Sequence, residues 1–193
     1  PRTASFAPST TVTSAAWDKP HPVLTASLDG TLATEQGFDL AAQGAPPFIG
    51  TGERKALDLG PGRWLDGGVR PEFRIASAIT LKAWARFSDV DGIPVLISRA
   101  RWQQQGYFLQ VLGGRVRFHL ALEGGTLVLD AGQVRPGAWR QLVGTFDGKT
   151  ARVYLDGQLA GQQGLISGSK PALIDYPGPL YIGRYEDEGK QYE

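Results

Sequence analysis

The chain has no cysteine and no methionine among its 193 residues. Without thiols, neither a disulfide framework nor a zinc-thiolate site can hold the fold together, and the redox compartment leaves no trace in the composition. Methionine is missing even at position 1, which reads as a processed product or a fragment; no signal peptide is visible, as expected if one has been removed. Asparagine is absent too, which excludes N-linked glycosylation sequons. Only two histidines occur, His21 and His119, so metal ligands reduce to these and to oxygen donors. No apolar run approaches the roughly 18–20 residues of a membrane-spanning helix. Twenty Lys and Arg stand against nineteen Asp and Glu, a net charge of +1. Such a balance sets up no global field for nucleic acid or an anionic membrane.

What the chain does have is glycine (26), proline (13) and 41% hydrophobic residues, enough for one substantial core and so for one domain. Arg outnumbers Lys beside abundant Ala and Gly, a composition that points to a bacterial source. Residues Pro1 to Pro22 are rich in Ser, Thr, Ala and Pro without a sustained period and read as an arm or linker, in which Phe6 and Trp17 could dock on the body. The domain proper is expected over 23–193. Short β-type runs alternate there with turn signals: Val23 to Leu28 before Asp29-Gly30, Lys55 to Leu59 before Gly60-Pro61-Gly62, Trp64-Leu65 before Asp66-Gly67-Gly68. Ile79 to Phe87 alternates strictly, with Ile79, Leu81, Ala83, Ala85 and Phe87 on one face and Thr80, Lys82, Trp84 and Arg86 on the other. Tyr107 to Leu112 and Arg115 to Leu122 form a hairpin about Gly113-Gly114, with Val116, Phe118, Leu120 and Leu122 opposing Arg115, Arg117 and His119. Trp139 to Phe146, Ala151 to Leu155 and Gln158 to Ala160 make a meander whose second turn, Asp156-Gly157, suits type I′. Pro179 to Tyr185 supplies one more strand. Many strands at hairpin spacing argue for an all-β, two-sheet antiparallel sandwich.

The blocks Ala56-Leu57-Asp58-Leu59, Ile79 to Trp84, Gly106-Tyr107-Phe108-Leu109, Gly137 to Gly148 and Val153-Tyr154-Leu155-Asp156-Gly157 resemble the laminin G-like, concanavalin A-like jelly rolls of large exported bacterial proteins. Ser98-Arg99 through Gly106-Tyr107 to Gly114–Leu120 is similar to the version found in planctomycete multidomain proteins. The resemblance implies a jelly roll in a secreted, periplasmic or cell-surface protein. It also implies calcium at the sandwich rim, held by carboxylates and carbonyls; Asp29, Glu186 and Asp187 are the first candidates, with Asp89 and Asp91 behind them. Such domains usually finish on a strand reading approximately Phe-x-Gly-x-Ile-Asp-Glu-Val, which has no counterpart before Glu193. The sheet is therefore expected to lack its last strand, with its edge covered by another segment, by the Pro1 to Pro22 arm or by a second copy.

Nothing in the motifs supports catalysis. Glucanases of this architecture carry Glu-x-Asp-x-Glu on a strand, which puts acid and nucleophile on one face. Here Glu186-Asp187-Glu188 is contiguous and would split its carboxylates between faces. No Gly-x-Ser-x-Gly elbow, cysteine nucleophile or His-Glu-x-x-His helix occurs. For ligand binding, Arg99 to Gln105 reads as a loop offering Arg99, Arg101, Trp102 and Gln104, side chains that stack on and hydrogen-bond to sugars, with Tyr107, Arg117 and His119 completing the candidate set. An equally open reading folds Trp102 back over the core. A second candidate is a cationic face of Lys82, Trp84, Arg86, Arg115, Arg117 and His119, suited to uronate or sulfated glycans if those strands are neighbours. Two functions follow: a non-catalytic carbohydrate-binding module recognising a polysaccharide, or a protein-interaction scaffold whose open sheet edge is covered by another chain segment.

Overall fold

This computed structural model describes residues 4–6, 10–14, 21–51, 54–187 and 190–192. Eighteen strands run through them: β1 (Ala4–Phe6), β2 (Thr10–Ser14), β3 (His21–Ala26), β4 (Ala41–Gln43), β5 (Phe48–Thr51), β6 (Arg54–Leu59), β7 (Trp64–Asp66), β8 (Ile79–Phe87), β9 (Val95–Arg101), β10 (Gln105–Leu112), β11 (Arg115–Leu122), β12 (Gly125–Gln133), β13 (Trp139–Phe146), β14 (Thr150–Leu155), β15 (Gln158–Gly164), β16 (Tyr181–Ile182), β17 (Tyr185–Asp187) and β18 (Lys190–Tyr192). One short 3-10 turn, Pro71–Phe73, sits between β7 and β8. Trp17 and Glu188 lie outside the described residues, as do the side chains of Phe6, His21 and Asp187.

Nine strands form the first sheet, in the order β15-β14-β13-β8-β1-β6-β5, with β2 pairing β8 and β3. Seven form the second, β12-β11-β10-β9-β16-β7-β4, and β17 with β18 makes a separate hairpin. Every pairing is antiparallel. The expected two-sheet sandwich is what forms, because alternation gives each sheet one apolar face. In β8 the odd-numbered residues Ile79 to Phe87 are buried while Thr80, Lys82 and Trp84 are half-buried and Arg86 is exposed. In β11 Val116, Phe118, Leu120 and Leu122 are buried against them in a single cluster. Each fully buried side chain of this size contributes about 1.5–3 kcal/mol.

Turn chemistry fixes the register. Gly113 and Gly114 both take positive φ, 55° and 71°, the type I′ geometry whose twist matches the strands. Leu112 therefore pairs with Arg115 and the ladder runs back to Tyr107 opposite Leu120. Asp156 (φ 51°) and Gly157 (φ 80°) make the same turn between β14 and β15, as expected.

Several segments differ from the sequence reading. Arg99 to Gln105 is not one loop: Val95–Arg101 is strand β9, and only Trp102–Gln104 turns before β10 begins. Val95-Leu96-Ile97 hides its period because both faces of β9 are buried, and buried Arg99 interrupts the apolar run. Strand β12, with Leu127, Leu129 and Ala131 in the core, also went unread. The Pro1 to Pro22 stretch contributes β1 and β2, which pair along β8 at Ala85–Phe87 and Ile79–Lys82 on the side opposite β13. The strand expected over Pro179 to Tyr185 ends at Ile182, because Gly183 has φ 84° and a Cβ there would meet Leu59 at 2.8 Å. Finally, the cationic face is split. Lys82, Trp84 and Arg86 lie on the first sheet and Arg115, Arg117 and His119 on the second, so the two halves are not neighbours.

The sheets approach closely at Gly144, where a Cβ would lie 2.6 Å from the Phe118 ring. Gly144→Ala is expected to destabilise the fold by about 1–3 kcal/mol through overpacking. Gly164→Ala, which points into open space, is expected to stay within about 0.5 kcal/mol; thermal or urea unfolding of the two variants checks the contrast.

Candidate functional site

The outward face of the second sheet carries a second, smaller apolar cluster: Val95, Ala100, Phe108 and Tyr185, with Trp102 and Tyr192 packed against them. Period two puts it there. Tyr107, Leu109 and Val111 face the sandwich, so Phe108, Gln110 and Leu112 face outward, and hairpin register sets Phe108 opposite His119 and Gln110 opposite Arg117. The Phe108 and His119 rings stack at 4.3 Å with an interplanar angle of 1°. Trp102 folds back over both, 5.0 Å from His119 and 5.8 Å from Phe108. Tyr185 tilts against Phe108 at 5.3 Å, and Tyr192 stacks on Tyr185 at 5.7 Å.

Polar contacts hold this array in place. The Gln103 amide donates to His119 Nε2 (3.2 Å), the Thr126 hydroxyl donates to the Gln103 carbonyl (3.1 Å), and the Gln104 amide donates to the Arg101 carbonyl (3.1 Å). Together they pin the turn that carries Trp102. On the other side, Arg184 lies over Trp64 at 4.1 Å and donates to Glu186 (2.6 Å), while Ser98 Oγ donates to the Arg184 carbonyl (2.6 Å). These contacts anchor the chain where it leaves the sheet and direct Tyr185 onto Phe108.

Between the two anchors lies a cavity of about 170 Å³, lined by Ile93, Trp102, Phe108, Gln110, Leu112, Arg117, Tyr185 and Tyr192. Among the described residues, Arg117 is the single charged group in that lining. Its Nε and a terminal nitrogen donate to the two Asp130 carboxylate oxygens at 2.7 and 2.6 Å, a bidentate pair of the kind that fixes a guanidinium plane. Arg117 also lies 5.5 Å from the Trp102 ring centre. Gln110 is 5% exposed, and its Oε1 accepts no hydrogen bond from the described residues.

Of the residues singled out from sequence, Trp102, Arg117 and His119 come together here, with His119 buried beneath Trp102. Arg101 and Gln104 are exposed at the flanks of the turn. Arg99 and Tyr107 do not join them. Both face the sandwich side, where Arg99, 1% exposed, pairs with Asp175 at 2.5 Å and the Tyr107 hydroxyl donates to the Phe73 carbonyl at 3.0 Å. Burial pushes the Tyr107 phenol above its ordinary range. A buried guanidinium held by half-exposed Asp175 and an interior phenol are withdrawn from any ligand at the outer face. Phe108, Gln110, Tyr185, Tyr192 and Asp130 went unread, though the Gly113-Gly114 turn alone sets Gln110 beside Arg117.

The acids named as calcium candidates lie in separate places. Glu186 is engaged by Arg184, Asp29 is exposed on a bend, and Asp89 accepts the Asp91 amide at 2.7 Å as a local turn. No group of three or more His, Asp or Glu able to hold a metal occurs among the described residues. The Asp187 side chain and Glu188, two of the three acids in the densest candidate group, lie outside the described residues.

The strands form an antiparallel β-sandwich with an aromatic-lined cavity on the outer face of one sheet. Residues 66–192 match the laminin G 3 family model, described as the concanavalin A-like lectin/glucanases superfamily, and the chain belongs to that family. A search of curated proteins gives no match. Among solved structures, an HCR/D mutant is similar at TM-score 0.56 and 11% identity over 95% of this chain. Domains LG4-5 of the mouse laminin alpha1 chain are similar at TM-score 0.48 and 16% identity over 88% of it. The chain spans 45% and 39% of those two solved chains.

Burial under Trp102, with Arg117 beside it, pushes the His119 imidazole down to about 3. An unfolded chain binds a proton there near pH 6.5 while the folded one does not, so stability is expected to fall as pH drops from about 6.5 towards 3. NMR titration should find His119 neutral at pH 5, and His119→Phe should flatten the dependence of melting temperature on pH in that window.

Proposed function

We propose that this module is a non-catalytic carbohydrate-binding domain of an exported protein, secreted, periplasmic or cell-surface, and that the cavity beside Trp102 receives the glycan. The observation that carries the reading is the lining itself. Sugar rings present apolar C–H faces and hydroxyl edges, and the cavity offers half-exposed Trp102 and Tyr192 rings beside the amide of Gln110 and the guanidinium of Arg117. Few polar groups set in an aromatic wall, held by a rigid sheet, are what orient a small ligand. None of the lining residues is a carboxylate, so the acid and nucleophile of a glycosidase have no seat in it.

The scaffold alternative drew its support from a missing last strand and an open edge. That support is weakened by β1 and β2, which pair along β8, and by β3, which pairs with β2.

A glycan array read with and without calcium tests the proposal. Saturable binding to a polysaccharide is expected, weakened at least about tenfold by Trp102→Ala, since a stacked aromatic is worth more than its buried area alone. Silence across neutral and anionic glycans in both conditions would refute it.

A further inference from the structure

We infer that the Trp102 cavity takes a single neutral sugar ring, oriented by a hydroxyl that donates to Gln110, and that it discriminates against uronate and sulfated sugars. The inference rests on the carbohydrate-binding reading and concerns which class of glycan that site accepts. Three observations carry it.

The first is charge. Among the described residues Arg117 is the one cation in the lining, and its forked donors are already committed to both oxygens of Asp130. Arg115 adds a hydrogen bond to the Asp130 carbonyl at 3.0 Å, which steadies the acid's position. An entering carboxylate or sulfate would meet a guanidinium whose charge Asp130 already neutralises, and would come close to that carboxylate, whose side chain is 37% exposed. Like charges at short range in a partly desolvated wall repel strongly. A neutral ring meets a matched pair and disturbs nothing.

The second is hydrogen-bond polarity. Gln110 Oε1 is buried and accepts from no group among the described residues, a state that carries a desolvation penalty until a donor arrives. A sugar hydroxyl supplies that donor.

The third is size. A volume of about 170 Å³ falls below the roughly 300–1,000 Å³ of sites for drug-sized ligands. The cavity holds one ring, with the remainder of a chain outside it.

The test is calorimetric titration of the intact chain with neutral gluco-, manno- and galacto-oligosaccharides and with oligogalacturonate, alginate oligomers and sulfated galactan, at low and high salt. Binding is expected in the neutral set, insensitive to salt and lost in Trp102→Ala. Trp102→Phe, which keeps a ring over His119, is the folded control and should retain part of the affinity. Gln110→Leu should lower affinity roughly tenfold while raising the melting temperature, because an apolar near-isostere relieves a buried acceptor but offers the ligand nothing; a merely structural glutamine would not give opposite signs. Asp130→Asn, which frees the Arg117 charge, should bring in uronate binding that the parent chain lacks. Trp102-dependent, salt-sensitive binding of the anionic set with none of the neutral set would overturn the inference and leave the carbohydrate-binding reading standing. Binding by neither set would overturn both.

Discussion

The β10–β11 hairpin is the constraint on which the rest of the molecule depends. Two glycines at positive φ lock its register, and in a pleated strand register decides which side chains face in and which face out. A slip of one residue would carry Tyr107, Leu109, Val116 and Phe118 to solvent and drive Gln110 and Arg117 into the sandwich. The same locked ladder that places Tyr107, Leu109, Val111, Val116, Phe118, Leu120 and Leu122 in the core therefore also builds the floor of the outer cavity. Structure and site are two faces of one hairpin.

That coupling explains the mixture of chemistry on the outer face. An outward sheet surface left to water would carry solvated polar groups, as the Arg115-Arg117-His119 alternation suggests by itself. Here a turn and a separate hairpin cover part of it with Trp102, Tyr185 and Tyr192. Burial then changes what the polar residues are. His119 becomes a neutral ring in a stack, Arg117 a positioned and charge-matched donor, and Gln110 an acceptor waiting for a partner. Desolvation raises the stakes of each group, since an unpaired polar atom in such a wall costs more than one in water.

The fold was legible because its signals are local. The strict alternation of Ile79 to Phe87, the paired glycines at 113 and 114, and Asp156-Gly157 each specify geometry within a few residues, and the strands appear where these say. The site was legible only in part, because it is assembled from segments far apart in sequence. Trp102, Arg117 and His119 could be singled out by type, but nothing local says that Tyr185 returns across Phe108 or that Asp130 lies beside Arg117. The errors share a cause. Arg99 looks like a loop residue because a buried arginine breaks the apolar period, yet it lies inside the sandwich paired with Asp175; β9 was lost for that reason. Conversely, Lys82, Trp84 and Arg86 repeat the outward pattern of β11 while sitting in the other sheet, since alternation reports which face is apolar and is silent on which sheet a strand joins.

If one hairpin sets both core and site, a bound sugar must report on that hairpin's outward residues. The direct measurement is amide and side-chain chemical-shift mapping by NMR on titration with a neutral oligosaccharide. The account predicts shifts concentrated at Trp102, Gln110, Arg117 and Tyr192, with Trp84 and Trp139 on the first sheet's outer face unmoved. Shifts centred on Trp84 and Trp139, with the β10–β11 resonances unchanged, would contradict it.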